Sequence, residues 1–593
     1  MNESSPSVSF RNLLFGGVLV LAFALRLANL GASPLSDKEA HEALWAAVGT
    51  PAASDFWPSE GASPASSALY QSIAWVVFQL GGGSEATARL LPALIGALIV
   101  LAPWLLRRRL GTAGALLAAF LLAISPTLVA ISRIAGGTSA AIVAVALGTA
   151  GLILVLDGEL EPRRATALLA TCLAVGLTAG AATFFGLVSL GGAAGLMLVT
   201  APHLWPGRRA AGLRSILSRA LGIGAAGAVV IALAAGWLPG GLASLAEGAR
   251  SWLLGWIGPG EMHSLTPLQM VLAYEPLVVV FGIIGAVSAF RRQDAVGVGA
   301  AWWAILALAL AVAYPGRSGE LVAWCAVPLA WLAGGTLAWE AERLWSQPSR
   351  WQASGVGALL LFLLVYAGLQ LASYASGIGP GFAQLNPELR LTVAAGAVAI
   401  VGVAAVLIGF GWSWSVARSG AVLAWTGALL MLTLFAGWRL NFVYWESGPP
   451  ELWAVSAPTR GLARLESTVE SLSISARGVR DELPIAIDDS SPPPSLIWAL
   501  RSFPRFSTSD SGSAESPPIL VMRDLGSVPS LPVDYLGQSI VLGQTWDFAG
   551  PLPPDWLGWL WRRRFPVREA TWVLLVRADV ATHGESEVSE TQP

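Results

Sequence analysis

The sequence is poor in charge, in cysteine and above all in lysine. Only 12% of its 593 residues are Asp, Glu, Lys or Arg, about half the share of an average soluble domain. So little charge over such a length excludes a soluble cytosolic enzyme and a disordered chain. The two cysteines, Cys172 and Cys325, both lie in apolar runs and read as small core residues, not as a disulfide or a thiolate metal pair. Lys38 is the sole lysine, and the net charge of −2 argues against a nucleic-acid partner.

What is abundant is apolar: 55% of residues are hydrophobic and the mean hydropathy is +0.64. Runs of about twenty apolar residues recur, the length needed to cross a bilayer. They predict about thirteen spans, near residues 13–30, 89–106, 111–131, 139–156, 166–183, 185–201, 220–238, 269–289, 296–313, 321–339, 354–375, 391–411 and 420–438. The first is long and a multispan chain follows it, so it reads as a signal-anchor rather than a cleaved signal. Residues 70–80 are apolar but short and lead into three glycines, which predicts a surface-lying amphipathic helix instead of a span.

Arginines cluster in alternate loops: Arg107, Arg108 and Arg109; Arg163 and Arg164; Arg208, Arg209, Arg214 and Arg219; Arg291 and Arg292; Arg343 and Arg350; Arg418. Arg-rich loops are cytoplasmic, which puts the N-terminus inside a plasma membrane and the C-terminal region outside. From Trp445 onward there are 12 Arg against 19 Asp and Glu, a net of −7, leaving 23 against 18, or +5, for the rest. The predicted organisation is an all-α polytopic membrane domain over 1–444, an extracytoplasmic α/β domain over 445–582 and a polar tail over 583–593. In the α/β domain, helical spacing marks 461–479, apolar runs at 484–487, 518–522, 539–542 and 571–576 read as strands, and 495–502 reads as a helix. Many of the 27 Trp sit at span ends, where interfacial anchoring accounts for them. Trp252 and Trp256, four apart in the outer loop 239–268, fit a surface helix or a segment touching lipid.

Ionisable groups at span ends are the places to look for chemistry. The first outer loop, 31–88, opens Pro34-Leu35-Ser36-Asp37-Lys38-Glu39-Ala40-His41-Glu42. A carboxylate here could deprotonate an acceptor hydroxyl at the membrane face. The same residues also suit an N-capped interfacial helix, with Ser36 or Asp37 as cap and acids in its first turn. Arg133, in the second outer loop, is open to two readings: a phosphate contact, since guanidinium matches phosphate oxygens, or snorkelling at a span end. A divalent metal held by His41, Glu39 or Glu42 with Glu261 and His263 is conceivable, but no ligand spacing supports it; no cofactor is predicted. The remaining histidines are His203, on the inner side, and His583, in the tail.

The order of these features resembles the GT-C membrane glycosyltransferases, in particular the protein O-mannosyltransferase-like and aminoarabinose-transferase-like group. The matching stretch carries Arg26-Leu27-Ala28-Asn29-Leu30, the Pro-Leu and acidic cluster, Ser63-Pro64, and Gly83-Ser84-Glu85-Ala86-Thr87-Ala88-Arg89-Leu90-Leu91-Pro92. It closes with Arg107 to Leu110 and Ser125-Pro126 leading to Ser132-Arg133. The later part resembles the branch associated with flippase activity in archaeal N-glycosylation, through Pro449-Pro450-Glu451, residues 463–471, 485–488, Trp498 to Arg501 and Trp572 to Asp579.

The resemblance implies transfer of a sugar, with inversion, from a polyprenyl-phosphate carrier in the membrane lipid to an outer protein, lipid or glycan acceptor. An outer-loop Asp would act as base and a basic group would hold the phosphate. It makes Asp37 and Glu39 the catalytic candidates, Arg133 and Lys38 the phosphate-binding ones, and His41, Glu42 and Arg89 further candidates. The sequence departs from the family pattern at two points. Lys38 stands where the Asp of Asp-Glu-Ala is expected, and Gly136, Gly137 and Thr138 stand where a second acid usually follows. A lysine cannot act as a carboxylate base, so two readings stay open: a transferase in which Asp37 or Glu39 has taken over, or a degenerate relative that binds, helps move or scaffolds lipid-linked sugars. A secondary transporter is disfavoured by the absence of a two-half repeat.

Overall fold

A computed structural model describes residues 10–50, 53–57, 63–204, 210–234, 241–260, 262–376, 387–443, 451–505, 516–524, 526 and 531–581. Glu261, Pro449, Pro450, His583 and the tail lie outside them. Among the described residues ten helices are long and apolar enough to cross a membrane, or twelve if each of two bent pairs is one span. The bent pairs are Arg107–Ile124 with Pro126–Ser132, at 58°, and Thr266–Tyr274 with Pro276–Arg292, at 100°. Each break falls at a proline, which has no N–H to continue the ladder and clashes with the preceding turn. The other expected span corresponds to Pro162–Thr178, whose 17 residues reach about 25 Å and fall just short of the other ten.

The bundle has two distinct faces. Helix Thr138–Leu156 has Thr138 bonded to Glu320 at one end and Asp157, its C-cap, paired with Arg109 at the other. Arg108–Glu159 at 3.4 Å joins that second face. The first loop and the C-terminal domain occupy the opposite face. Helix Ala68–Gly81 is only 14 residues long and buries Tyr70, Ala74 and Phe78 while leaving Ile73, Val76 and Leu80 exposed. It is shorter than the helices counted as spans, in keeping with the short apolar segment read from the sequence.

The C-terminal domain is a five-stranded mixed sheet in the order β1-β4-β5-β3-β2, with β1 Ser456–Pro458, β2 Ile485–Asp488, β3 Ile519–Arg523, β4 Tyr535–Trp546 and β5 Val567–Arg577. Helix Arg460–Arg477 packs on it through Leu462, Leu465 and Val469. Four strands and both helices coincide with the apolar periodicities of the sequence. The three-residue β1, too short to show periodicity, and helix Trp556–Arg562 were not anticipated.

The domain does not stand apart from the membrane bundle. One apolar cluster holds Leu44, Tyr70 and Phe78 of the first loop together with Leu465, Trp498 and Trp572 of the sheet domain. Trp498 lies 5.8 Å from Phe78, ring centroid to centroid, and donates Nε1–H to Glu85 at 3.1 Å. Arg501 covers Trp498 and donates to the Gly83 carbonyl at 2.8 Å. Glu451 forms a second pin: it is buried, accepts from Tyr274 at 2.7 Å, and pairs with Arg563 at 3.2 Å. The first loop and the sheet domain therefore share one side of the membrane.

Candidate functional site

The site is organised by helix Asp37–Ala47, which starts where Ser36 caps it. Ser36 Oγ accepts from the Glu39 backbone while the Glu39 side chain accepts from the Ser36 backbone at 3.0 Å, a reciprocal capping box. Glu39 goes further. Its carboxylate takes Arg89 Nε at 2.7 Å, Arg89 Nη2 at 3.0 Å and the Ala135 N–H at 3.0 Å. Burial works against its charge, but Arg89 and the Ser36 and Ala135 backbone bonds prevail and hold the carboxyl below the usual range. Arg89 in turn donates to the Leu30, Ser33 and Pro34 carbonyls. Glu39 and Arg89 thus lock the end of the first span to the loop helix, and both side chains are almost wholly buried.

Asp37 and Lys38 are exposed on the same first turn. Asp37 Oδ1 accepts from Ser495 of the sheet domain, from N at 3.2 Å and from Oγ at 2.6 Å. Lys38 forms an ion pair with Glu320, whose other oxygen accepts from Thr138. Glu320 lies on the turn Gly319–Val322. Gly319 is required there because a Cβ would collide with the Trp453 carbonyl.

Two cavities meet at the Lys38–Glu320 bridge. One, of about 460 Å³, lies under the sheet domain and is lined by Asp37, Lys38, Arg317, Glu320, Trp453 and Ser495 among others. The second, of about 410 Å³, lies among the loops of the same face and is lined by Lys38, His41, Glu42, Thr138, Glu247 and Glu320 among others. Both volumes fall in the range of small-molecule sites. Both hold cationic and carboxylate side chains side by side.

The other expected residues have structural partners. His41 bonds the Ser63 carbonyl at 2.9 Å and sits edge-on to Trp57. Glu42 accepts from the Ser66 N–H at 2.7 Å, and its Oε2 has no hydrogen-bond partner among the described residues. Arg133, expected at a phosphate, instead turns back on the first span. It donates to the carbonyls of Leu25 at 3.3 Å, Ala28, and Asn29 at 3.3 Å, and covers Phe442. A cation is favoured there by the helix C-terminus. Among the described residues no three His, Cys, Asp or Glu come together as a metal site.

Sequence reasoning did not single out Glu320, the carboxylate that lines both cavities. It is the lone acid between Asp294 and Glu340, at the start of a span, and that isolation was the available signal. The structure also explains the missing second acid. A Cβ at Gly137 would overlap the Ala179 carbonyl and Ser67 Oγ, so no side chain fits there, and Glu320 reaches the neighbouring Thr138 from another loop.

No family model matches the sequence, and no curated protein matches it. Solved structures do. ArnT from Cupriavidus metallidurans bound to undecaprenyl phosphate superposes with a TM-score of 0.56 at 15% identity, over 96% of this chain and 98% of that one. Its apo state gives 0.54 at 14% identity with the same coverage. The oligosaccharyltransferase AglB from Archaeoglobus fulgidus, in complex with an inhibitory peptide and a dolichol-phosphate, gives 0.42 at 13% identity, over 87% of this chain and 69% of that one. From its helical bundle and its end-to-end superposition on ArnT, the chain has the GT-C fold.

Proposed function

We propose that this multi-pass membrane protein is a glycosyltransferase that takes a sugar from a polyprenyl-phosphate donor and passes it to a hydroxyl-bearing protein, lipid or glycan on the extracytoplasmic face. The observation that carries the reading is the pair of cavities at Lys38, on the face opposite the paired arginines of the loops, in a fold whose ArnT relative was solved with undecaprenyl phosphate. Arg-rich loops mark the cytoplasm, so the cavities and the sheet domain face outward and the N-terminus inward. Lys38 and Arg317 are the cations available to the donor phosphate. Glu39 is occupied by Arg89, which leaves Asp37 and Glu42 of the first-loop acids at the cavities and adds Glu320 as a third carboxylate there.

The chemistry asked of the site is modest. The anomeric carbon–oxygen bond breaks toward the phosphate, which is already a stabilised anion. The acceptor oxygen attacks from the opposite side, and a carboxylate takes its proton. Purified protein in lipid nanodiscs, given a panel of polyprenyl-phosphate sugars and hydroxyl acceptors, should release polyprenyl phosphate and form glycoside with one of them. Absence of turnover across the panel defeats the proposal.

A second reading rests on one observation, the neutralisation of Lys38 by Glu320. In that reading the protein binds or helps translocate lipid-linked sugars without transferring them. Saturable donor binding with no glycoside formed would favour it.

A further inference from the structure

We infer that Glu320 is the catalytic base, held masked by Lys38 in the resting protein and released when the donor phosphate draws Lys38 away. The inference rests on the transferase reading and assigns the proton acceptor within it.

The geometry selects Glu320 over the other carboxylates. Glu39 is sealed by Arg89 and three backbone or hydroxyl contacts. Asp37 is engaged by Ser495 and lines only the cavity under the sheet domain. Glu42 and Glu247 line only the other one. Of the acids, Glu320 alone lines both. It also touches both positions where the sequence lacks an expected acid, Lys38 through Oε1 and Thr138 through Oε2. A carboxylate lost from two loops is supplied from a third, 282 residues away along the chain from Lys38.

The bridge is built to open. Lys38 is 62% exposed while Glu320 is 12% exposed; an ion pair with one partner in water is weakly held. A phosphate ester entering beside Arg317 competes for the ammonium. Lys38 has a flexible four-carbon stem, so it can follow the phosphate into the cavity under the sheet domain. Glu320 stays bonded to Thr138 and now faces the other cavity uncompensated. Cation and base then sit on opposite sides of the reacting carbon, as inversion demands. The acceptor O–H proton passes to Glu320, the acceptor oxygen bonds the anomeric carbon, and the electron pair of the broken bond leaves with polyprenyl phosphate. Glu42, whose buried Oε2 has no hydrogen-bond partner among the described residues, also lines that cavity.

The test is full-length protein in nanodiscs, with undecaprenyl phosphate as the binding probe and glycoside formation as the second readout. Glu320→Gln frees Lys38, so it should bind the lipid phosphate roughly 3- to 5-fold more tightly, yet lose transfer by about 100-fold or more. Lys38→Met should weaken phosphate binding about 10-fold. Glu320→Asp, which keeps the charge, should retain part of the transfer. Tighter binding by Glu320→Gln also certifies that the variant is folded. Unchanged or weaker phosphate binding by Glu320→Gln overturns the masking. Wild-type-level transfer by Glu320→Gln overturns the base assignment while leaving the transferase reading intact. No transfer by the wild type overturns both.

Discussion

Glu39 and Arg89 form a two-point ion pair, 1% and 3% exposed, that ties the loop helix of the site to the helix entering the bundle after it. The pair is the floor under Asp37 and Lys38, which lie on the same first turn of helix as Glu39. Its cost and benefit follow the rule for buried ions: intact it is near neutral, broken it is severe.

Arg89→Met should therefore destabilise the protein by about 3–5 kcal/mol, because Glu39 is left charged and unpaired. Removing both charges with Glu39→Gln and Arg89→Met should cost less than Arg89→Met alone. Thermal unfolding of the purified variants, arranged as a double-mutant cycle, measures this. A single variant as stable as wild type would show that the pair does not hold the loop.

Trp498 is the main apolar anchor of the sheet domain on the first loop, through Phe78 and Glu85. Trp498→Ala should weaken the docking by about 3–5 kcal/mol, the usual cost of deleting a buried Trp. The expected outcome is accelerated proteolytic release of the sheet domain together with loss of transfer, since Ser495 would no longer hold Asp37. Equal proteolysis rates in variant and wild type would contradict the anchoring role.

Glu466 makes that docking pH-sensitive. Its carboxyl is raised from the ordinary 4.5 to about 7. Burial does most of this; Arg501 opposes it, and Glu85 and Glu470 add to it. The folded protein therefore holds a proton that the unfolded chain releases, and stability falls as pH rises from about 4.5 through 7. Glu466→Gln should flatten that fall and raise stability at pH 8 by about 1–2 kcal/mol after solvent screening. Unfolding temperatures between pH 5 and pH 8 test the sign.

The orientation is directly measurable. In a background with Cys172 and Cys325 replaced by Ala, Ser491→Cys should react with an impermeant maleimide in whole cells, and Arg163→Cys only after permeabilisation. Both positions are exposed, Ser491 on the sheet domain and Arg163 at the Arg-rich face. Reversed labelling would put the cavities in the cytosol and end the proposal for an extracytoplasmic acceptor.

Much of this molecule is legible in one dimension. Twenty-residue apolar runs, alternating Arg clusters and the Ser36…Glu39 cap signal depend on local hydropathy and on spacing within a helical turn. The same holds for β2, β3 and the helix Arg460–Arg477, whose apolar faces repeat at the period of their own backbone. Length alone also argues against a span at residues 70–80, because 14 helical residues cannot cross about 30 Å of hydrocarbon.

Side-chain roles at the site were not legible in the same way. Arg133 looks like a phosphate ligand by position, but the carbonyls left open at the end of the first span claim it. Glu39 looks like a base by motif, but Arg89, 50 residues on, neutralises it. Glu320 has no motif at all.

The amino-acid order by itself thus determined that this chain is a multispan membrane protein with a polar α/β domain after its last span, because bilayer partition and helix or strand periodicity are properties of contiguous residues. Only the tertiary structure decided which charges are spent on holding loops together and which are left facing a cavity. That choice is made between groups as far apart in sequence as Lys38 and Glu320, whose meeting depends on how the whole bundle packs.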